Sequence, residues 1–121
     1  MSESKLTIVE EPVGDVTVLV LAGQILLDDG DLAFRRRIHE LIDRGRVNVV
    51  IDLGEVTYID SSGVGMIAAK LKTIRESGGD MKLVHVTSRS QRLFGMMKLL
   101  TTFETFEDRD AAVRSFDWRS R

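Results

Sequence analysis

The spacing of apolar positions changes period several times along the chain, and each change marks an element. Leu6-Thr7-Ile8-Val9-Glu10-Glu11 alternates well enough for a strand, and Pro12-Val13-Gly14-Asp15 reads as a turn. Val16-Thr17-Val18-Leu19-Val20-Leu21-Ala22 is β-branched and mostly apolar, the pattern of a central strand buried on both faces. Gly23 to Gly30 predicts a loop with an acidic tip. From Asp31 to Arg44 the period becomes helical, with Phe34, Ile38, Leu41 and Ile42 on one face and Gly45 as the stop. The run Arg35-Arg36-Arg37 in that helix reads as a solvated face.

Val47 to Leu53 predicts a second buried strand, followed by a short polar turn at Gly54-Glu55. Beyond Asp60-Ser61-Ser62-Gly63 a helical stripe of Val64, Ile67, Ala68, Leu71 and Ile74 runs to Gly78-Gly79. Met81 to Val86 predicts another strand, and Thr87-Ser88-Arg89-Ser90 supplies caps for a helix whose core stripe is Leu93, Met97 and Leu100. Phe94 and Met96 fall off that stripe and are expected to be exposed, adaptable contacts. Thr102 to Phe106 reads as a short strand, Asp108 to Phe116 as a last helix, and Trp118 to Arg121 as a tail.

The order β-β-α-β-α-β-α-β-α predicts a hairpin followed by right-handed crossovers. The expected fold class is a compact α/β single domain over residues 1–121, its core spanning about residues 5–117. Its mixed sheet should hold about five strands, with about four helices.

Composition narrows the chemistry. The chain has no cysteine, which excludes disulfides, thiol nucleophiles and thiolate metal sites. A net charge of −2 gives no basic footprint for nucleic acid, and no apolar run reaches the length of a membrane span. The N-terminus lacks a basic region followed by an apolar one, so a cytoplasmic address is expected.

A nucleophile elbow needs glycine two residues on either side of its serine, but Ile59 and Asp60 stand two before Ser61 and Ser62. Of the two histidines, His39 lies in a charged helix and His85 between two strand valines, so neither reads as a base. Gly63-Val64-Gly65 lacks the lysine of a phosphate loop, and Ala68 stands where a dinucleotide fingerprint has its third glycine. Asp28, Asp29 and Asp31 lack the spacing and closing glutamate of a calcium loop. No metal and no cofactor is called for.

Two readings remain for the serines. Ser61 or Ser62 caps the helix that begins there, or the same free N–H groups and positive helix end make a place for a phosphate. Asp60, with Asp28 or Asp29 across the loop, would then sharpen the negative patch.

The stretch Val50 to Gly65, with its D-L-G-E-V-T-Y-I-D-S-S-G-V-G core, resembles the STAS domain family, and within it the bacterial anti-sigma-factor antagonists. Gly23, Arg44-Gly45, Gly78-Gly79-Asp80-Met81-Lys82-Leu83 and Arg92-Leu93-Phe94 fall in the family's order. The resemblance implies a STAS-like fold and a non-enzymatic partner switch. In the cycle the resemblance implies, the unphosphorylated protein would bind an anti-sigma factor that is also a serine kinase, phosphorylation would release it, and a metal-dependent serine phosphatase would reset it. It places the phosphoacceptor at Ser61, with Ser62 as second choice, and the partner-binding surface at Asp60, Ser61, Ser62, Gly63, Val64, Gly65, Asp28 and Phe94. Many members carry an aspartate after the second strand, where this chain reads Gly23-Gln24-Ile25-Leu26; Asp28 and Asp29 are the candidates to replace it. A weak homodimer is compatible with the sequence. The rival readings are a STAS scaffold or transport accessory that binds its partner constitutively, and a nucleotide-binding module.

Overall fold

The computed structural model describes residues 6–26, 29–99 and 102–116, the side chains of 29–31 excepted. Along these residues run β1 (Leu6–Val13), β2 (Val16–Ile25), α1 (Asp29–Asp43), β3 (Asn48–Ile59), α2 (Ser61–Glu76), β4 (Asp80–Val84), α3 (Ser88–Met96), β5 (Thr105–Phe106) and α4 (Arg109–Arg114). The sheet order is β1-β2-β3-β4-β5, with β1 antiparallel to β2 and every later pair parallel. This is the expected hairpin followed by crossovers, a mixed five-stranded α/β sheet with four helices among the described residues.

Period-two alternation in the strands divides the interior into two cores. Leu19, Leu21, Val49, Ile51, Leu53, Met81 and Leu83 face α1, α2 and α3, where they meet Phe34, Ile38, Leu41, Val64, Ile67, Leu71 and Ile74. Val16, Val18, Val50 and Val84 point the other way, against Ala112 and Phe116 of the α4 segment. Both faces of the central strands are therefore apolar, as their unbroken β-branched runs require. Lys82 is buried on the α4 face, its Nζ 4.4 Å from the Phe116 ring centroid and 2.7 Å from Ser115 Oγ. The arginine run on α1 is exposed at Arg35 and Arg36, while Arg37 pairs with Glu10 at 3.6 Å.

The first expected turn is shorter than the sequence suggests, and the second is absent. Pairing continues through Pro12↔Thr17 and Val13↔Val16, so only Gly14 and Asp15 turn the hairpin. Gly54-Glu55 does not end β3 either: the strand runs on to Ile59, and β2 runs beside it to Ile25. Two register shifts against β2, at Val20/Ala22 and Gly23/Gln24, absorb the extra residues as bulges. At the other limit, β5 is confined to Thr105–Phe106. The tail from Trp118 and the stripe position Leu100 lie outside the described residues.

The first three helices end alike. Gly45, Gly78 and Lys98 each adopt positive φ, and the N–H groups of that residue and the next donate back to the last helical carbonyls, as in Arg46 to Leu41, Gly79 to Ile74 and Leu99 to Phe94. Lys98 is the exception in kind, a residue with a Cβ held at φ +59°. Lys98→Gly should therefore stabilise the fold by about 0.5–1 kcal/mol, read as a raised midpoint in urea unfolding. A lowered midpoint would show that the lysine side chain contributes more than its backbone strain costs.

Candidate functional site

The site is built where β3 gives way to α2. Ile59 is anchored in the larger core, and Asp60 follows in extended conformation (φ −104°, ψ 179°) as the N-cap. Its Oδ1 accepts the Gly63 N–H at 2.8 Å, and its carbonyl accepts the Val64 N–H at 3.1 Å. Neither serine is the cap. A carboxylate accepts without having to place a proton of its own, and its charge favours the positive end of the helix. Ser61 and Ser62 become the first two residues of the helix, both exposed, with no hydrogen bond from either hydroxyl among the described residues.

The glycines that follow have different reasons. A Cβ on Gly63 would lie 2.7 Å from the Ile25 carbonyl oxygen and 2.9 Å from Ile59 Cγ1, so the first turn of α2 packs at backbone distance on the end of β2. Gly65 has room: its nearest neighbour would be Met97 Cε at 3.8 Å. Val64 is fully buried and anchors the turn from below. Of the residues expected at the site, Asp60, Ser61, Ser62, Gly63, Val64 and Gly65 are thus one continuous turn, with Val64 on its inner side. Asp28 lies outside the described residues.

Phe94 is a correction. It is 1% exposed and packs edge-on against Phe103, ring centroids 5.5 Å apart. The stripe Leu93-Met97-Leu100 presumed a helix continuing past Lys98, but α3 stops at Met96 and the left-handed turn redirects the chain. Measured from the true cap Thr87, Ser90 and Phe94 make the buried i, i+4 pair, and Met97 is at the surface. Met96 is 79% exposed, as expected. Beside the turn, sequence reasoning passed over Tyr58 and Arg89: the guanidinium of Arg89 lies 4.4 Å above the ring of Tyr58, which is 39% exposed. An aromatic at an exposed strand position was the available signal.

His85 is not a strand residue. It stands just past β4 at φ +57°, over Gly54, where a Cβ would come within 3.2 Å of both His85 Cβ and Asp52 Oδ1. Its Nδ1 lies 2.9 Å from Asp52 Oδ1; because a carboxylate only accepts, the ring N–H donates. Arg109 donates to Asp52 Oδ2 at 2.9 Å and also to Glu11, and the Gly54 N–H completes the set. Burial pushes the Asp52 carboxyl up, but hydrogen bonds from Gly54, His85 and Arg109, with the charge of His85, outweigh it and hold the group below its ordinary value. The bond to Asp52 in turn raises Arg109. The histidine is thus tied into a structural charge network on the α4 face.

With the geometry described, comparison with known proteins gives the class. The STAS domain model matches residues 8–112, and the chain belongs to that family. An anti-sigma F factor antagonist from Paenibacillus polymyxa is 26% identical over 103 residues, 84% of this chain and 87% of that protein. A protein described as a putative anti-sigma factor antagonist, BtrV, from Bordetella bronchiseptica is 29% identical over 75 residues, 62% of this chain; the match spans only 65% of the relative's length. Among solved structures, an anti-sigma factor antagonist from Mycobacterium paratuberculosis superposes with a TM-score of 0.79 at 23% identity, covering 91% of this chain and 92% of the other. The phosphorylated form of the Bacillus cell fate determinant SpoIIAA gives 0.71 at 19%, covering 90% and 99%. No helix among the described residues is long and apolar enough to cross a membrane.

Two predictions follow from this geometry. Gly63→Ala should destabilise by about 2–4 kcal/mol, since its Cβ meets a backbone carbonyl. Gly65→Ala should be neutral or stabilising by up to about 1 kcal/mol. Urea unfolding of the pair measures both; equal effects would refute the close approach at residue 63. Asp52→Asn should cost about 2 kcal/mol at neutral pH. A carboxyl held low in the folded state stabilises above its unfolded value of about 4 and loses that contribution as pH falls through the lowered folded value. The gap between variant and native protein should therefore narrow below about pH 4, and a gap constant to pH 2 would remove Asp52 ionisation as its source.

Proposed function

We propose that the protein is an anti-sigma-factor antagonist that works by partner switching in the cytoplasm, with Ser61 as the phosphoacceptor. The observation that carries this reading is the exposed Ser61 hydroxyl at the start of α2, which makes no hydrogen bond among the described residues because Asp60 caps the helix. The relatives named as anti-sigma factor antagonists support the choice of partner class. So does the fold shared with a protein known in a phosphorylated form.

A phosphoryl group adds roughly two negative charges at neutral pH. On Ser61 it would sit beside Asp60 and the unpaired N–H groups of the first helical turn, so the domain accommodates it while the surface field changes sharply. The unphosphorylated surface offers Ser61, Ser62 and Gly65 on α2, with the exposed Met96 of α3 and Met97 just after it as adaptable apolar contacts. An anti-sigma factor serine kinase binds that surface, phosphorylates Ser61 from ATP and is released. A metal-dependent serine phosphatase restores the hydroxyl. The protein itself is not an enzyme.

The test pairs the purified chain with the anti-sigma factor kinases of its own organism. Ser61→Ala should stay bound whether or not ATP is present, and Ser61→Asp should bind at least about tenfold more weakly. With ATP, the native chain should gain about 80 Da, one phosphoryl group, on the peptide containing Ser61. Modification on Ser62 would move the site by one residue. A stable complex indifferent to ATP and to both variants would instead establish the constitutive scaffold.

A further inference from the structure

The two strands beside β3 leave it at different points. β4 pairs with it only from Asn48 to Asp52, whereas β2 follows it to Ile59. Past Val84 the chain turns at His85 and enters α3 through Thr87, so no strand covers the outer edge from Glu55 to Ile59 among the described residues. An uncovered interior edge presents unpaired N–H and C=O groups, a template for another strand. Here it faces a cleft of about 170 Å³, lined by Val56, Thr57, Tyr58 and Ile59 on one side and by Thr87, Arg89 and Ser90 on the other.

The charges around the cleft are uneven. α3 carries Arg89 and Arg92 and no acidic residue, and neither arginine meets a carboxylate among the described residues. The guanidinium of Arg89 lies 4.4 Å from the centroid of the Tyr58 ring at the rim of the cleft. The edge is also continuous with the switch: Ser61 follows Tyr58 by three residues, at most about 11 Å between Cα atoms.

We propose that the free edge of β3 from Glu55 to Ile59 is a strand-addition site for an extended, acidic segment of the partner that Ser61 controls. The inference rests on the reading of Ser61 given above and extends it. Main-chain hydrogen bonds to the edge hold the segment, and an acidic side chain at the Tyr58 end meets Arg89. Phosphorylation then acts through direct charge conflict, because the new dianion stands at the end of the same cleft, about one Debye length or less from the segment's carboxylate.

The experiment is amide hydrogen exchange on the full chain, free and in complex with its anti-sigma factor kinase. Amides among Val56, Thr57 and Tyr58 that exchange freely in the isolated protein should slow at least about tenfold in the complex, while the outer edge of β1 at Thr7–Glu11 should not. Arg89→Glu should weaken the complex about tenfold and Arg36→Glu, on exposed α1, should leave it unchanged. A complex sensitive to Ser61→Asp but without new protection at 56–58, or one as tolerant of Arg89→Glu as of Arg36→Glu, overturns the strand-addition site and leaves the Ser61 switch standing. Absence of any Ser61-sensitive complex overturns both.

Discussion

The first turn of α2 rests on the Ile25 carbonyl at the end of β2, and it can do so only because residue 63 has no side chain. That contact fixes the direction in which α2 leaves the sheet. With it goes the position of Asp60, whose carboxylate reaches the Gly63 N–H, and of the two serines that project beyond the cap. A methyl group at residue 63 would force α2 and β2 apart and disturb the cap and the hydroxyls together. Val64, buried immediately afterwards, holds the turn down from the core side.

β3 is the element that links this turn to everything else. Its first half is an ordinary central strand, hydrogen-bonded on both sides and apolar on both faces. Its second half has outrun β4 and, among the described residues, pairs with β2 alone. The change falls at Asp52-Leu53-Gly54, where the charge network of Asp52, His85 and Arg109 closes the α4 side of the sheet. The burial of Asp52 is tolerable because both carboxylate oxygens are bonded. The same residues that end the pairing of β3 with β4 thus open the edge that leads to Ser61.

Much of this was legible in the sequence because it depends on period alone. The order of elements, the buried faces of α1 and α2, and the parallel sheet after a hairpin all follow from repeated apolar spacing. What escaped depended on contacts between distant segments. Gly54 reads locally as a turn, but pairing with β2 across two bulges carries the strand through it. His85 looks like an alternating strand residue until Asp52, 33 positions earlier, claims its ring. Phe94 was misplaced for a different reason: positive φ at a lysine is not a sequence signal, so the end of α3 and the rotation of its buried face were hidden together.

The division of labour at Asp60 and Ser61 has a consequence for how a charge switch can work at all. Were the serine the cap, its oxygen would already be engaged with the helix N–H groups, and modification would exchange one stabilising bond for another. About 1 kcal/mol of cap energy would then be entangled with the signal. Because Asp60 holds the cap, the hydroxyl of Ser61 takes no part in the hydrogen bonds among the described residues. The phosphate proposed for Ser61 would therefore leave folding stability nearly constant while altering the field outside the first turn of α2. A domain of this size has only several kcal/mol of stability to spare, and a switch operated repeatedly is best placed where those few are not at stake.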